Sequence, residues 1–154
     1  MLKEVDILAI TLTSPIKIGI YEDMQLIETI ESQEKSSDIL PILFNELQKK
    51  YTIRQLFYAN GPGSFMAIKV AYVFLKSLSV LKKIPLLAID AFHFNENQPI
   101  KAIGKLHFVK VASEIKTQKL ETAPEANFLL PDVLDYSEFS TDAAPLYMIG
   151  AVGQ

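Results

Sequence analysis

An almost unbroken apolar run near the start of this 154-residue sequence leaves few options for its fold. Residues Val5–Leu12 are rich in β-branched side chains, a pattern typical of a strand that is covered on both faces. Two further strands are predicted close behind it, at Ile16–Ile20 and Gln25–Ile30, with a turn at Glu22–Met24. Three strands in succession with short connections indicate an antiparallel meander.

The hydrophobic period then changes to that of a helix. Apolar side chains between Leu40 and Tyr51 recur at helical spacing, after candidate N-caps at 36–38. Pro41 lies in the first turn if Asp38 is the cap, whereas a kink is expected if the helix begins earlier.

Strands and helices alternate in the middle of the chain. The pattern predicts a short buried strand at Gln55–Ala59, a sharp turn at Asn60–Gly63, a long helix at Phe65–Lys82 and a strand at Leu86–Ile89. This order predicts an α/β layered domain, in which the meander leads into parallel strands.

Beyond Phe92 the periodic signal weakens. A strand is predicted at Leu106–Val111, while residues 113–125 are weakly patterned. Two short apolar pieces, Phe128–Leu130 and Leu146–Ile149, each lie near a proline. This tail is too thin for a full second domain.

Composition restricts the chemistry and the location. The chain has no cysteine, which excludes disulfides, cysteine nucleophiles and thiolate metal sites. Its 15 basic and 18 acidic residues give a net charge of −3, which is not typical of a stand-alone nucleic-acid binder. The sequence shows neither a signal peptide nor a membrane span, so we expect a cytoplasmic protein with no membrane partner.

No catalytic constellation stands out. Gly61–Ser64 opens a helix, but no Gly-Lys-Ser/Thr follows, and Met66 occupies the last glycine position of a G-x-G-x-x-G pattern. The glycines are better explained by a tight turn, with Ser64 as the helix cap. His93 and His107 do not have the spacing of a metal-binding pair. The acids near predicted strands, which an RNase H-like nuclease would need, are Asp6, Glu28 and Asp90.

The helix predicted at Phe65–Lys82 carries more apolar surface than one buried face requires. Two apolar flanks adjoin the face opposite its lysine stripe, and one of them lacks an obvious neighbour. A protein–protein interface is predicted there, and the alternative is that loops from the tail cover these residues. One flank holds Met66, Val73 and Val80, the other Ile68, Tyr72 and Leu75, and Ile39 and Ile42 lie off the core stripe of the preceding helix.

The segment Tyr58–Val70 resembles the G-P-G-S-F-T-G-[LV]-R-[IV] signature of the bacterial TsaB (YeaZ) family. Met66 and Ala67 depart from the Thr-Gly of that signature, and Lys69 stands in the position of its arginine. The residues that match directly are Gly61, Pro62, Gly63, Ser64 and Phe65. Shorter similarities lie at Ile7–Ile10, Ile39–Pro41, Ile84–Leu86 and Pro145–Tyr147.

The resemblance implies an actin-like, RNase H-like fold of the ASKHA group. Residues 1–100 would form its first lobe, and residues 101–154 a reduced second lobe or a C-terminal extension. It also implies a non-catalytic partner of the TsaD-like subunit, which transfers threonylcarbamoyl to the adenosine beside the anticodon of tRNA. A homodimer when alone, a TsaE-like ATPase reached through the complex, and no direct nucleic-acid binding are further expectations.

The predicted partner contacts combine the apolar helix residues with two lysines at the rim. They are Ile39, Ile42, Met66, Ile68, Lys69, Tyr72, Val73, Leu75 and Lys76.

One departure from the family bears on catalysis. The first strand of the family usually ends in aspartate, and here that position is Thr11, so ATP hydrolysis by this chain is not expected. We predict no catalytic residue, no metal and no cofactor for the chain alone, and leave open ATP or ADP at a partner interface. The alternatives are a small free-standing enzyme of the same fold, either an ATP-dependent transferase or a metal-dependent nuclease, and a homodimeric structural module.

Overall fold

The computed structural model describes residues 1–123 and 127–147. Two helices cover one face of a five-stranded mixed sheet, and a three-stranded antiparallel sheet follows in the chain. The elements are β1 (Lys3–Ile10), β2 (Ile16–Glu22), β3 (Gln25–Ser32), α1 (Ser36–Lys50), β4 (Tyr51–Ala59), α2 (Phe65–Lys82), β5 (Leu86–Ile89), β6 (Ile100–Ile103), β7 (Leu106–Val111) and β8 (Glu114–Lys119), with short 3-10 helices at Ala91–Phe94 and Tyr136–Glu138.

The main sheet has the strand order β3-β2-β1-β4-β5. Strands β1 to β3 form the predicted antiparallel meander, and β4 and β5 extend it in parallel. β1 is buried on both faces, as its apolar run predicts: Ile7 and Ala9 belong to the core beneath the helices, while Leu8 and Ile10 belong to the core on the opposite face. The expected α/β architecture is confirmed.

Helix α1 begins earlier than a cap at Asp38 would allow. Its N-cap is Lys35, which makes no side-chain capping bond, so Pro41 lies inside the helix rather than at its first position. The missing N–H of Pro41 leaves the carbonyl of Ser37 without its helical donor. Strand β4 then starts directly at Tyr51, also earlier than predicted.

Helix α2 and strand β5 have the predicted bounds. Ser64 caps α2 by accepting a hydrogen bond from the Ala67 N–H, and Lys83 ends the helix in the left-handed conformation. Strand β7 also matches its prediction, but β6 and β8 were not predicted. The pieces Met148 and Ile149 of the predicted apolar segment lie outside the described residues.

The C-terminal residues pack back onto the main sheet. Phe128, Leu134 and Phe139 are buried in the core on the face opposite the helices, together with residues of β6 and β7. Within residues 1–123 and 127–147, neither helix combines the length and the hydropathy that crossing a bilayer requires.

Candidate functional site

The Gly-Pro-Gly turn between β4 and α2 is packed tightly by its own chain. Gly61 has φ +116°, and a Cβ there would lie 2.9 Å from both the carbonyl oxygen of Leu146 and Cδ1 of Ile68. Its carbonyl accepts a hydrogen bond from the Ala91 N–H, and its bond to Pro62 is cis. The turn therefore requires glycine for close approach, which agrees with its interpretation as a structural turn and not as a phosphate loop.

One predicted flank of α2 is part of the core. Ile68 and Leu75 are each 1% exposed, and Tyr72 is partly buried against Tyr58, with ring centroids 6.4 Å apart. In α1, Ile39 is buried as well. The expectation that Ile39, Ile68 and Leu75 are available for partner contacts is therefore wrong for the chain as it stands here.

The cause of this burial is the segment Ser140–Tyr147, which we call the C-terminal strap. Ser140 pairs with Ala88 at the edge of β5, and the Tyr58 hydroxyl donates to the carbonyl of Ala143, which is buried in the same core as Leu75. The strap thus covers the flank that holds Ile68, Tyr72 and Leu75. For this flank, the alternative of coverage by the tail is the correct one.

The other flank of α2 is exposed. Met66 is 60% exposed and Val73 is 54% exposed, and Val80 follows them at the same spacing along the helix. Ile42 of α1 is exposed too. We call Ile42, Met66, Val73 and Val80 together the helix patch. Val80 was recognised in the sequence as part of this flank but was not included among the predicted contacts.

A groove runs beside the helix patch, between α1 and α2. It has a volume of about 450 Å³, and the rings of Phe44 and Phe74 meet between the two helices, with centroids 5.3 Å apart. Lys69 and Lys76 are exposed on α2, and Lys69 also lines the groove. The apolar lining comes from Leu40, Pro41, Met66, Val70, Val73 and Phe74.

The carboxyl ends of β1, β4 and β5 are where parallel α/β sheets usually bind ligands. Thr11, Asn60 and Asp90 follow these three strands. Both carboxylate oxygens of Asp90 are engaged, since Oδ2 accepts from Lys110 Nζ at 2.6 Å and Oδ1 accepts from the Phe92 N–H at 3.0 Å. Among the described residues, no cluster of three acidic or histidine side chains is placed to hold a metal ion.

The other candidate acids are also held in local contacts. Asp6 is buried in β1, where it accepts hydrogen bonds from Arg54 and Tyr136. Glu28 accepts from the Tyr51 hydroxyl and from Lys50 Nζ, and these hydrogen bonds lower the pKa of its carboxyl group. Asp6, Glu28 and Asp90 therefore do not converge on one site.

The histidines also lie apart in separate contacts. His93 Nδ1 lies 3.4 Å from Glu138 Oε2, and His107 Nδ1 lies 2.7 Å from the carbonyl oxygen of Lys105. Each contact is local, and neither joins the two histidines in one site.

Comparison with known proteins identifies the type of fold. No protein-family model matches the sequence, and no curated protein matches it. The chain is similar to the structure of YeaZ from Pseudomonas aeruginosa, with a TM-score of 0.58, 12% identity, and coverage of 78% of this chain and 66% of that one. It is also similar to an uncharacterized protein described as similar to peptidase YeaZ from Pseudomonas aeruginosa, with a TM-score of 0.54, 13% identity, and coverage of 79% and 67%. The chain spans about two thirds of these structures, and its fold is YeaZ-like, as the resemblance predicts.

Proposed function

We propose that this chain is a non-catalytic subunit that binds a TsaD-like threonylcarbamoyltransferase through the helix patch, and so takes part in the synthesis of tRNA threonylcarbamoyladenosine. The observation that carries the proposal is the exposed apolar row on α2. Met66 and Val73 lie on it, and both are more than half exposed beside an apolar groove.

The arrangement of these residues favours a protein partner. Single exposed apolar side chains are normal on a monomer, but a contiguous row that borders a groove is typical of an interaction site. The groove, at about 450 Å³, is large enough to receive side chains of another protein. Lys69 and Lys76 lie at its rim, where charges affect the rate of association more than the affinity.

The choice of partner rests on the YeaZ-like fold together with the Gly61–Phe65 motif. A non-catalytic role is supported by the carboxyl edge of the sheet, where Thr11 carries no charge and Asp90 is neutralised by Lys110. We assign no cofactor to this chain, and place any nucleotide, together with a TsaE-like ATPase, with the assembled complex.

The test measures binding of the chain to a TsaD-like protein of the same organism. We expect Val73→Asp to weaken binding about 30-fold or more, the effect of a central interface residue. Val111→Asp is the matched control, because Val111 is 56% exposed on β7, in the other sheet. Leu75→Asp is unsuitable, since it would place a charge in the core.

Two results would contradict the proposal. One is that Val73→Asp and Val111→Asp bind the TsaD-like protein with equal affinity. The other is that the chain forms only a homodimer sensitive to Val73→Asp, which would favour a homodimeric module. Light scattering of the mixture and of the chain alone distinguishes these outcomes.

A further inference from the structure

We propose that the groove beneath the C-terminal strap is a peptide-binding site. The strap occupies it as a tethered ligand, and an extended apolar segment of another protein takes its place. This site lies on the flank of α2 that holds Ile68 and Leu75, so it does not depend on partner binding at the helix patch.

The strap is held through its main chain. Ala88 and Ser140 exchange two backbone hydrogen bonds, of 2.9 and 2.8 Å. The side-chain amide of Asn60 donates to the carbonyl of Ala144 at 2.9 Å, and the Leu146 N–H donates to the carbonyl of Asn60 at 2.8 Å. Recognition through backbone groups accepts many sequences, as when a peptide adds to the edge of a sheet.

The strap fills the groove with small side chains. Ala143 is buried beside the core, while Ala144 is exposed, and Pro145 and Leu146 are only partly buried. At its end, the ring of Tyr147 packs against Phe65, with centroids 4.8 Å apart. A suitable ligand is therefore an extended segment with small residues first, then proline, then an aliphatic and an aromatic residue.

One polar group of the groove is left without a partner by the strap. Asn60 is buried, and its Oδ1 accepts no hydrogen bond from the described residues, although its Nδ2 is bonded to Ala144. Buried acceptors are nearly always satisfied in a native fold. A ligand with a hydroxyl or amide donor near the position of Ala144 would satisfy this acceptor, which the strap does not.

The first measurement is hydrogen exchange of the full, unmodified chain. The amides of Ser140 and Leu146 are both hydrogen-bonded, yet we expect them to exchange at least 10-fold faster than the Leu56 amide in β4, because the strap opens without global unfolding. Equal exchange at the three amides would overturn the proposal, since the strap would then be a fixed part of the core.

The second measurement uses a labelled peptide with the sequence of residues 139–147. Leu146→Pro in the full chain removes the N–H that binds the Asn60 carbonyl, and leaves the groove walls unchanged. Because the tethered strap competes at high effective concentration, we expect this variant to bind the peptide at least 10-fold more tightly than the unmodified chain. Equal affinities, or no binding to either protein, would refute the exchange.

Tyrosine variants locate the bound peptide. Adding Tyr58→Phe to the Leu146→Pro chain removes the hydroxyl that donates to Ala143, and should weaken peptide binding several-fold. Tyr21→Phe is the matched control, because its hydroxyl donates to the carbonyl of Pro131, outside the strap. A peptide with serine at position 144 should bind roughly 2- to 10-fold more tightly than the native sequence. Equal binding in either comparison would place the peptide elsewhere.

Discussion

Substitution of Tyr136 tests how firmly the C-terminal residues are locked onto the main sheet. The hydroxyl of Tyr136 donates to Asp6, a carboxylate that is 1% exposed within β1. The ring of Tyr136 stacks on Phe57, with centroids 5.2 Å apart. Tyr136→Phe removes the hydroxyl alone, so it isolates the polar part of this contact from the aromatic part.

The expected loss follows from the burial of Asp6. A hydrogen bond to a charged group contributes about 1.5–3 kcal/mol, and a buried acceptor cannot replace it with water. Asp6 keeps Arg54, whose Nη2 lies 3.1 Å from Oδ2, which moderates the loss. We therefore expect Tyr136→Phe to lower the free energy of unfolding by about 2 kcal/mol, and the melting temperature by roughly 4–8 °C for a chain of this length.

Tyr51→Phe is the matched control for this prediction. Tyr51 also donates to a carboxylate, that of Glu28, but Glu28 is partly exposed and water can replace the lost donor. We expect a loss below about 1 kcal/mol there. Urea unfolding followed by circular dichroism gives both values, and equal losses for the two variants would refute the argument from burial.

Two further predictions concern alkaline stability and the glycine turn. Burial, followed by the hydrogen bond to Asp6, raises the pKa of Tyr136 to about 12, above its ordinary value of 10. The folded chain then holds a proton that the unfolded chain releases, so stability should fall from pH 10 to pH 12, and less so in Tyr136→Phe; an equal slope in both proteins would count against this. Gly61→Ala should destabilise the fold by at least 1 kcal/mol, because its Cβ meets the Leu146 carbonyl, whereas Gly104→Ala, at φ +56° in open space, pays only the backbone penalty; the reverse order in thermal melts would contradict this.

Local signals explain which elements the sequence predicts well. Helix α2 is bounded by the Ser64 cap and by Pro85 shortly after its end, and both signals lie within the segment itself. Helix α1 has no capping side chain at Lys35, so its start could not be located. Strand β8, with the sequence EIKTQK, pairs along its whole length with β7, and this pairing outweighs its polar composition.

The burial of one flank of α2 could not be deduced from its periodicity. Both flanks are apolar at the same helical spacing, and the sequence distinguishes them only through a segment far along the chain. That segment is the strap, whose alanines and proline give no periodic pattern. Long-range main-chain contacts at Asn60 and Ala88 therefore decide that Leu75 is core while Val73 is surface.

The position of the strap also explains why the helix patch stays open. The strap is anchored to β4 and β5 and reaches α2 from that side, whereas the patch lies on the side of α2 that borders α1. A groove already separates the two helices there, and the described part of the chain offers no second strap to fill it. Because the sheet fixes both helices through Phe44 and Phe74, the patch is presented on a rigid support, and a partner that binds it pays little conformational entropy on this side of the interface.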